Sequence, residues 1–600
     1  EMREGLKDDR YNLRMPPPEP LVPRSRRLGV RERMRFDGTV TTPLDRRALA
    51  SALKTLDRAA VEAVAVCYLH AYRNPRHERE TGRAVARRRP GLYVSLSSEV
   101  LPQIKEYERV WTTVVNAYVG PALARYLSTL TTRLRNAGYR VVMRAGTARG
   151  SEAAKDVLIM QSHGGVAPIR ESARLAAGAV LSGPAGGVAA GRHVARLIDH
   201  GDLVTFDMGG TSTDIALLQG GEPTLTGEKT VGMARVALPS LDIHTLGAGG
   251  GSIARVDAGR ILHVGPESAG ADPGPACYGQ GGTAPTVTDA NLVRGLLDPA
   301  NFLGGRIALD VAAARRAMET IAKALGTDAF TAAEGIGQVV NTNMAEGIKL
   351  VSVRRGVDPR GFTLVAFGGA AGLHVTEVAR LLEIRRVIVP SVAAVLSAWG
   401  MLATDLRYEV VRTHIGDARR VDAESLKAVF GEMEAEGRRR LAEVFDGPVV
   451  VHRAADMRYG EQIFEIGVPL DGVNWAAPDP MQDVVARFHR RHEELYTYSV
   501  PDQEVVLVNA RVAVVGRLPA LPQEPTVPSR PRAAARARRR IYLGEWMEVP
   551  IFDLDAFAPG QVVEGPTVVE SATTTVLLRP GERGLVTPLG WLDIKVARAE

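Results

Sequence analysis

Apolar and polar positions along the chain follow two periods, and the switches between them mark out its elements. From residue 45 the pattern is helical in "DRRALASALKTLDRAA", continuously apolar in "VEAVAVCYLH", helical again in "PRHERETGRAVARRRP" and strand-like in "LYVSLSSEV". Strands and helices in alternation predict a layered α/β unit. The stretch "YERVWTTVVNAYVGPALARYLSTLTTRLRNAG" predicts one or two long helices, interrupted near Gly120-Pro121, where proline withdraws a backbone donor. "DVLIMQSHGG" ends a strand in glycines, and "SGPAGG" is a turn that leads into a helix.

Two strand–glycine turn units stand out. In "DLVTFDMGGTSTDIALLQGG" an apolar strand meets two glycines, then three hydroxyl residues, an acid and a second strand. In "LVAFGGAAGLHVTEVARLL" the glycine turn opens a helix. Between them, residues 241–282 are dense in glycine and weakly periodic, with strand-like pieces "SIARVDAGR" and "ILHVG". A segment of this length without strong periodicity predicts an ordered, functional loop region. After about residue 405 the pattern turns to charged helices and amphipathic strands, and a basic, proline-containing stretch at 518–540 reads as a linker. These shifts divide the chain into units 1–200, 201–404, 405–517 and 541–600 around that linker.

Composition alters this picture in a few places. With 600 residues the chain is too long for one core. No apolar run approaches the roughly 18 residues of a membrane span, so no membrane partner is expected. Cys67 and Cys277 lie too far apart in sequence to suggest a disulfide framework, which favours a cytoplasmic setting. The net charge of +7 is dispersed except at "RPRAAARARRR" (530–540), which reads as a solvated linker, and no nucleic acid is expected.

Glycines let backbone N–H groups approach a phosphate closely. Gly209 and Gly210, followed by the hydroxyls of Thr211, Ser212 and Thr213, therefore form a candidate phosphate cradle. Asp207 and Asp214 cannot bind phosphate, but a carboxylate beside phosphates holds Mg²⁺ through its waters. The competing reading is a tight hairpin whose Thr and Asp side chains bond their own backbone. Neither "GxxxxGK[ST]" nor "GxGxxG" is present. Asp242 and His244, in "LDIHTLGAGGG", are candidates for substrate contact or acid–base work, the histidine being as well suited to bonding loop backbone. Gly247, Gly249, Gly250 and Gly251 are candidate close-approach positions for nucleotide or substrate. Cys277 lacks a nearby base and reads as structural, His163 has no assigned role, and His489 and His492 read as a solvated helix face rather than a metal pair.

"DMGGTSTD" resembles the second phosphate motif of the actin, hexokinase and Hsp70 superfamily, and "LVAFGGAAG" resembles its adenosine motif, which adds Gly368, Gly369 and Ala370 to the nucleotide-binding candidates. More narrowly, "SEVLPQIKEYERVWTTVVNAYVGP", "IMQSHGG", "LSGPAGGV", "DIHTLGAGGGSIARVDAGRILHVGPESAGADPGPACYGQGG", "PTVTDANLV" and "FHRRHEELYTY" are similar to the ATP-dependent hydantoinase A and 5-oxoprolinase family, which includes acetone carboxylase β subunits. The resemblance implies a two-lobed α/β ATPase fold of the ribonuclease H-like kind with an added C-terminal β-rich domain. Units 1–200 and 201–404 would be the lobes, the first only in part.

The resemblance also implies ATP and Mg²⁺ as cofactors, with Asp207 as a metal-positioning residue. It implies ring-opening of a cyclic amide through phosphorylation of the amide oxygen, and a hydantoinase B-like subunit in a hetero-oligomer. An acetone-carboxylase-type β subunit and a catalytically silent structural subunit are the alternatives. Two departures accompany it. The family's first phosphate motif, of the "GVDVGGTFTD" kind, and its "GTT" segment are not in this sequence, which starts about where they would end; a fragment, a second chain or a lost half-clamp is expected. Gly372 stands where the family's adenosine turn has proline, and "RVVMRAGTARGSEAAKD" reads as an insertion.

Overall fold

The computed structural model describes residues 20–139, 157–232, 234–519, 521 and 525–597; the insertion read at 140–156 lies outside them. The core of the molecule is a nine-stranded mixed sheet. Its middle is the apolar trio Leu203–Met208, Thr363–Phe367 and Arg386–Val389, paired in parallel in the order in which the turn units require. Thr213–Gln219 pairs antiparallel to Leu203–Met208, and His244–Leu246 pairs antiparallel to Thr213–Gln219. The parallel trio and Thr213–Gln219 are largely buried on both faces, which explains their near-continuous hydrophobicity.

Helices cover both faces. Ser182–Leu197 packs on the first through glycines: a Cβ at Gly191 would stand 2.6 Å from Thr205 Cγ2, and one at Gly187 would stand 2.7 Å from a ring carbon of Phe367. Ala329–Val351 covers the second face, with Gly347 against Leu246 and Ile215. The end of the chain extends the same sheet. Leu592–Lys595 pairs with Arg386–Val389, followed outward by Arg583–Val586 and Val562–Glu564.

A second, six-stranded sheet combines Leu406–Asp417, Val449–Tyr459, Ile466–Pro469 and Val505–Gly516 with two short earlier strands, Leu158–Met160 and Val166–Pro168. Near the N-terminal end of the described chain, Ala63–Val66 and Tyr93–Leu96 pair in parallel beside helices Arg46–Arg58, Arg76–Arg88 and Glu106–Asn136. That last helix runs unbroken for 31 residues through Pro121. Packing carries it across the break: Gly120 lies so close to the Tyr93 ring that a Cβ there would overlap it. The two strand-like pieces of the glycine-dense segment form a hairpin, Ser252–Val256 with Leu262–Ser268.

The basic run at 530–540 is more than a solvated linker. Its last residues begin strand Ala537–Leu543, Arg536 pairs with the buried Glu570, and Arg539 bonds both Glu570 (2.7 Å) and Asp298 (3.0 Å). Among the described residues no helix is long and apolar enough to cross a membrane.

Candidate functional site

The first glycine turn joins two antiparallel strands in which Asp207 and Asp214 are directly opposite. Opposed residues of an antiparallel pair point to the same face, so both carboxylates stand on the face covered by helix Ser182–Leu197. Thr245, opposite Asp214 on the next strand, joins them there and donates a 2.5 Å hydrogen bond to Asp214 Oδ1. Ser397 Oγ, from the short helix Leu396–Gly400, donates to Asp207 Oδ2 at 2.7 Å. Gly186 and Gly187 let that short helix approach, since a Cβ on Gly187 would stand 2.9 Å from Ser397 Oγ. Each carboxylate keeps one oxygen without a donor among the described residues. Burial pushes both carboxyls above their ordinary range, and Asp214 adds repulsion at Asp207.

Above the carboxylates three glycine turns meet. Gly250 N–H donates to Gly209 O (3.0 Å), Gly251 N–H to Gly210 O (2.6 Å) and Ala370 N–H to Met208 O (3.1 Å). Gly249 admits no side chain, because a Cβ would stand 2.8 Å from backbone atoms of Gly210 and Thr211. Thr288 locks the arrangement, donating to Gly250 O from both its N–H (2.7 Å) and its hydroxyl (2.8 Å). Gly210 and Thr211 stay exposed at the tip, with Gly209 and Ser212 half-buried beside them.

Next to this junction lies a cavity of about 170 Å³, lined by Gly209, Gly210, Gly250, Asn291, Gly369 and Ala370, and closed by residues 570–575. Asn291 is fixed from behind. His374, buried and held neutral at a pKa of about 3 by burial, bonds Asn341 Oδ1 through Nδ1 (2.8 Å) and Asn291 Nδ2 through Nε2 (3.1 Å). This network makes Nδ1 the protonated nitrogen and leaves the Asn291 carbonyl oxygen as its uncommitted acceptor at the cavity.

Several sequence candidates fall elsewhere. Thr213 is fully buried on the other face, where its hydroxyl donates to Ala248 O at 2.5 Å, so it latches two turns together and has no proton left for a phosphate. His244 pairs with Ile215 and therefore faces the Ala329–Val351 helix, away from the carboxylates; burial lowers its pKa. Asp242 forms an ion pair with Arg355 beyond that helix. Neither residue joins the cluster. Replacing Asp242 by asparagine or His244 by alanine is therefore expected to leave the ATP turnover that the resemblance implies within a few-fold of the unmodified protein, as a coupled ADP-release assay would show.

Cys277 is fully buried beside Asp289, and burial, reinforced by that carboxylate, raises its thiol pKa, which removes it as a nucleophile. His492 is buried, not solvated: it bonds Gln462 (3.0 Å) and the Tyr498 carbonyl (2.8 Å) within an aromatic cluster, while His489 bonds the Tyr459 hydroxyl. His163 is held neutral by burial, with a pKa of about 4, and bonds the Gly165 N–H at 3.1 Å. Sequence reasoning missed Thr245, Ser397 and Asn291. Thr245 was legible in the alternation that places it opposite His244's face, whereas Ser397 comes to Asp207 from 190 residues away.

The carboxylate pair fits a divalent cation. Two acceptor-only groups share one partly buried face, each with a free oxygen, and a positive charge would relieve their mutual repulsion.

A family model described as hydantoinase/oxoprolinase matches residues 109–410; the models for that family's N-terminal region and C-terminal domain match 1–88 and 416–592. The caprolactamase subunit alpha of Pseudomonas jessenii is 38% identical over 604 residues, covering 98% of this chain and 84% of that protein. The crystal structure of an ATP-dependent caprolactamase from Pseudomonas jessenii superposes with a TM-score of 0.84 at 35% identity, over 99% of this chain and 86% of that one. A nucleotide-free acetone carboxylase structure gives 0.78 at 25% identity, over 98% and 84%. The fold is thus the actin- and hexokinase-like two-lobed ATPase fold with a C-terminal β-rich addition.

Proposed function

Because this chain belongs to the hydantoinase/oxoprolinase family, we propose that it is an ATP-dependent cyclic amidohydrolase, opening a hydantoin, oxoproline or related lactam as the A-type subunit of a cytoplasmic two-subunit enzyme with a hydantoinase B-like partner. One observation carries the reading. Two carboxylates, Asp207 and Asp214, sit beside a junction of three glycine turns that borders a recess of about 170 Å³.

An unstrained lactam is a poor electrophile. Transfer of the γ-phosphoryl group to its oxygen forms an O–P bond as the β,γ-bridging bond breaks and ADP leaves. Water then adds to the activated carbon, the C–N bond breaks to give an amine and an acyl phosphate, and a second water releases phosphate. Such a transfer depends on positioning and charge neutralisation rather than on covalent help from the protein. In this chain the N–H groups of Gly210 and Thr211 and the Thr211 and Ser212 hydroxyls cradle the phosphates. Asn291 and the Gly369–Ala370 turn take the nucleoside. Ser397 and Thr245 fix the carboxylates. Mg²⁺, held by Asp207 and Asp214 through its waters, supplies charge neutralisation at the phosphate oxygens when bound.

The test is a panel of lactams, hydantoins and ketones offered with ATP to the protein and its co-expressed B-type partner. Ring-opened product formed with ADP, independent of bicarbonate, is the expected result. ADP release that requires both a ketone and bicarbonate would replace this reading with the carboxylase one.

A further inference from the structure

A cavity of about 760 Å³ lies away from the nucleotide recess and shares no lining residue with it. It opens where the parallel strands Ala63–Val66 and Tyr93–Leu96 end. Tyr72, Arg73 and Arg79 follow the first strand, and residues 98–103 follow the second. Ligands bind preferentially beyond the carboxyl ends of parallel strands, where connecting loops diverge. The opposite wall is strand Leu406–Asp417 of the six-stranded sheet, tied across by Thr413 Oγ1, which accepts from Ile104 N–H at 2.8 Å, and by the Lys105–Glu465 ion pair.

The charged side chains of the wall are six arginines and four glutamates. Most satisfy one another: Arg407 pairs with Glu409 (2.6 Å), Arg174 with Glu171 (2.5 Å), and Arg412 (3.1 Å) and Arg440 (2.7 Å) with Glu436. Arg73 and Arg79 have no carboxylate partner among the described residues, and both are exposed. Glu99 is the one glutamate of the wall that forms no hydrogen bond or ion pair among the described residues, although its charge reaches Arg174, which is itself paired with Glu171. Of the two histidines of the wall, burial holds His163 neutral with a pKa of about 4, and burial, helped by the Arg73 charge, lowers that of His414.

We propose that this cavity binds a small aminocarboxylic acid, its carboxylate taken by the guanidinium groups of Arg73 and Arg79 and its amine by Glu99. Two free guanidiniums beside one free carboxylate match an anion that also carries an amine, and a volume of this size holds a metabolite with ordered water. The choice of a carboxylate over other anions rests on the ring-opening reading, whose product carries both groups.

The test is calorimetric titration of the full-length protein with straight-chain aminocarboxylic acids, γ-aminobutyrate to ε-aminocaproate, beside inorganic phosphate. Binding of one of the acids is expected, weakened roughly tenfold or more in the Arg73→Gln/Arg79→Gln double variant, since hydrogen bonds to charged groups carry at least that factor. It should persist in Asp207→Asn. Phosphate binding alone, or acid binding unchanged in the double variant, would overturn the inference. Acid binding that depends on the arginines in a protein that opens no lactam would leave the cavity site standing and remove the ring-opening reading. Lactam opening without acid binding would do the reverse.

Discussion

Replacing Asp207 by asparagine is expected to abolish ATP turnover, by roughly a hundredfold or more, while leaving the fold at least as stable as before. The two effects come from the same burial. Asp207 lies partly buried between Ser397, Gly368 and Asp214, and desolvation holds its carboxyl above the ordinary range. A group whose folded pKa is raised contributes stability that is fully present below its unfolded pKa and is lost as pH rises through the folded value. At neutral pH the ionised Asp207 therefore weakens the fold. Asparagine keeps an oxygen for the Ser397 hydroxyl and removes the repulsion from Asp214. What it cannot do is hold a cation. Thermal unfolding at neutral pH should show a midpoint equal to or above that of the unmodified protein, beside an ADP-release assay at background. A variant that loses stability and activity together would assign Asp207 a structural role instead.

The same shifts bear on the pH profile. Asp207 and Asp214 are both raised by burial, so the acid limb of ATP turnover should lie above the ordinary carboxylate range. In Asp207→Asn the melting temperature should also vary less across that window, because one group whose protonation favours the folded state is gone.

What was legible in the sequence was local. Glycines placed after continuous apolar runs announced both turn units, because only such a turn lets the backbone of one strand reach another, and 203–219 and 363–382 fold as that pattern requires. Facing was not legible. Asp242 and His244 stand three to five residues before the Gly247–Gly251 turn, yet strand alternation turns His244 to the helix Ala329–Val351 and gives the site Thr245 in its place. Thr213 fails as a phosphate donor for the same reason. It is one residue out of phase with Asp214, and so it is buried. Long-range pairing was equally hidden. Nothing in residues 583–595 alone says that they extend a sheet begun near residue 203, nor that Leu158–Met160 joins strands beyond residue 405. Arg539 looked like linker charge because its partners, Glu570 and Asp298, are brought to the cavity rim only by tertiary folding.

Gly368→Ala is expected to be the most disruptive single-methyl change at the site. The residue sits in the left-handed region, with φ of +84°, and a Cβ there would press on the Met208 carbonyl and stand 2.5 Å from Asp207 Oδ1. Left-handed backbone costs an ordinary residue about 1–2 kcal/mol, and overpacking a rigid site adds about 1–3 kcal/mol. Neither neighbour can yield freely. Met208 O accepts the Ala370 N–H that joins the Gly368–Ala370 turn to the Gly209–Ser212 turn, and Gly368 N–H itself donates to Ala393 O at 2.9 Å, just before the Ser397 helix. The added methyl therefore drives apart three pieces of the site at once: the Gly368–Ala370 turn, the Gly209–Ser212 turn and the Asp207 carboxylate. The expected result is a loss of about 2–5 kcal/mol in denaturant unfolding, together with ATP binding too weak to measure by calorimetry. Gly369→Ala separates the two contributions. That residue has no positive φ, and its nearest non-local neighbour stands at 4.0 Å from a built Cβ. It should unfold like the unmodified protein and lose affinity only in so far as its methyl narrows the recess. If Gly368→Ala bound ATP normally, the turns would not close on the nucleotide as proposed, and the site beneath them would need another ligand.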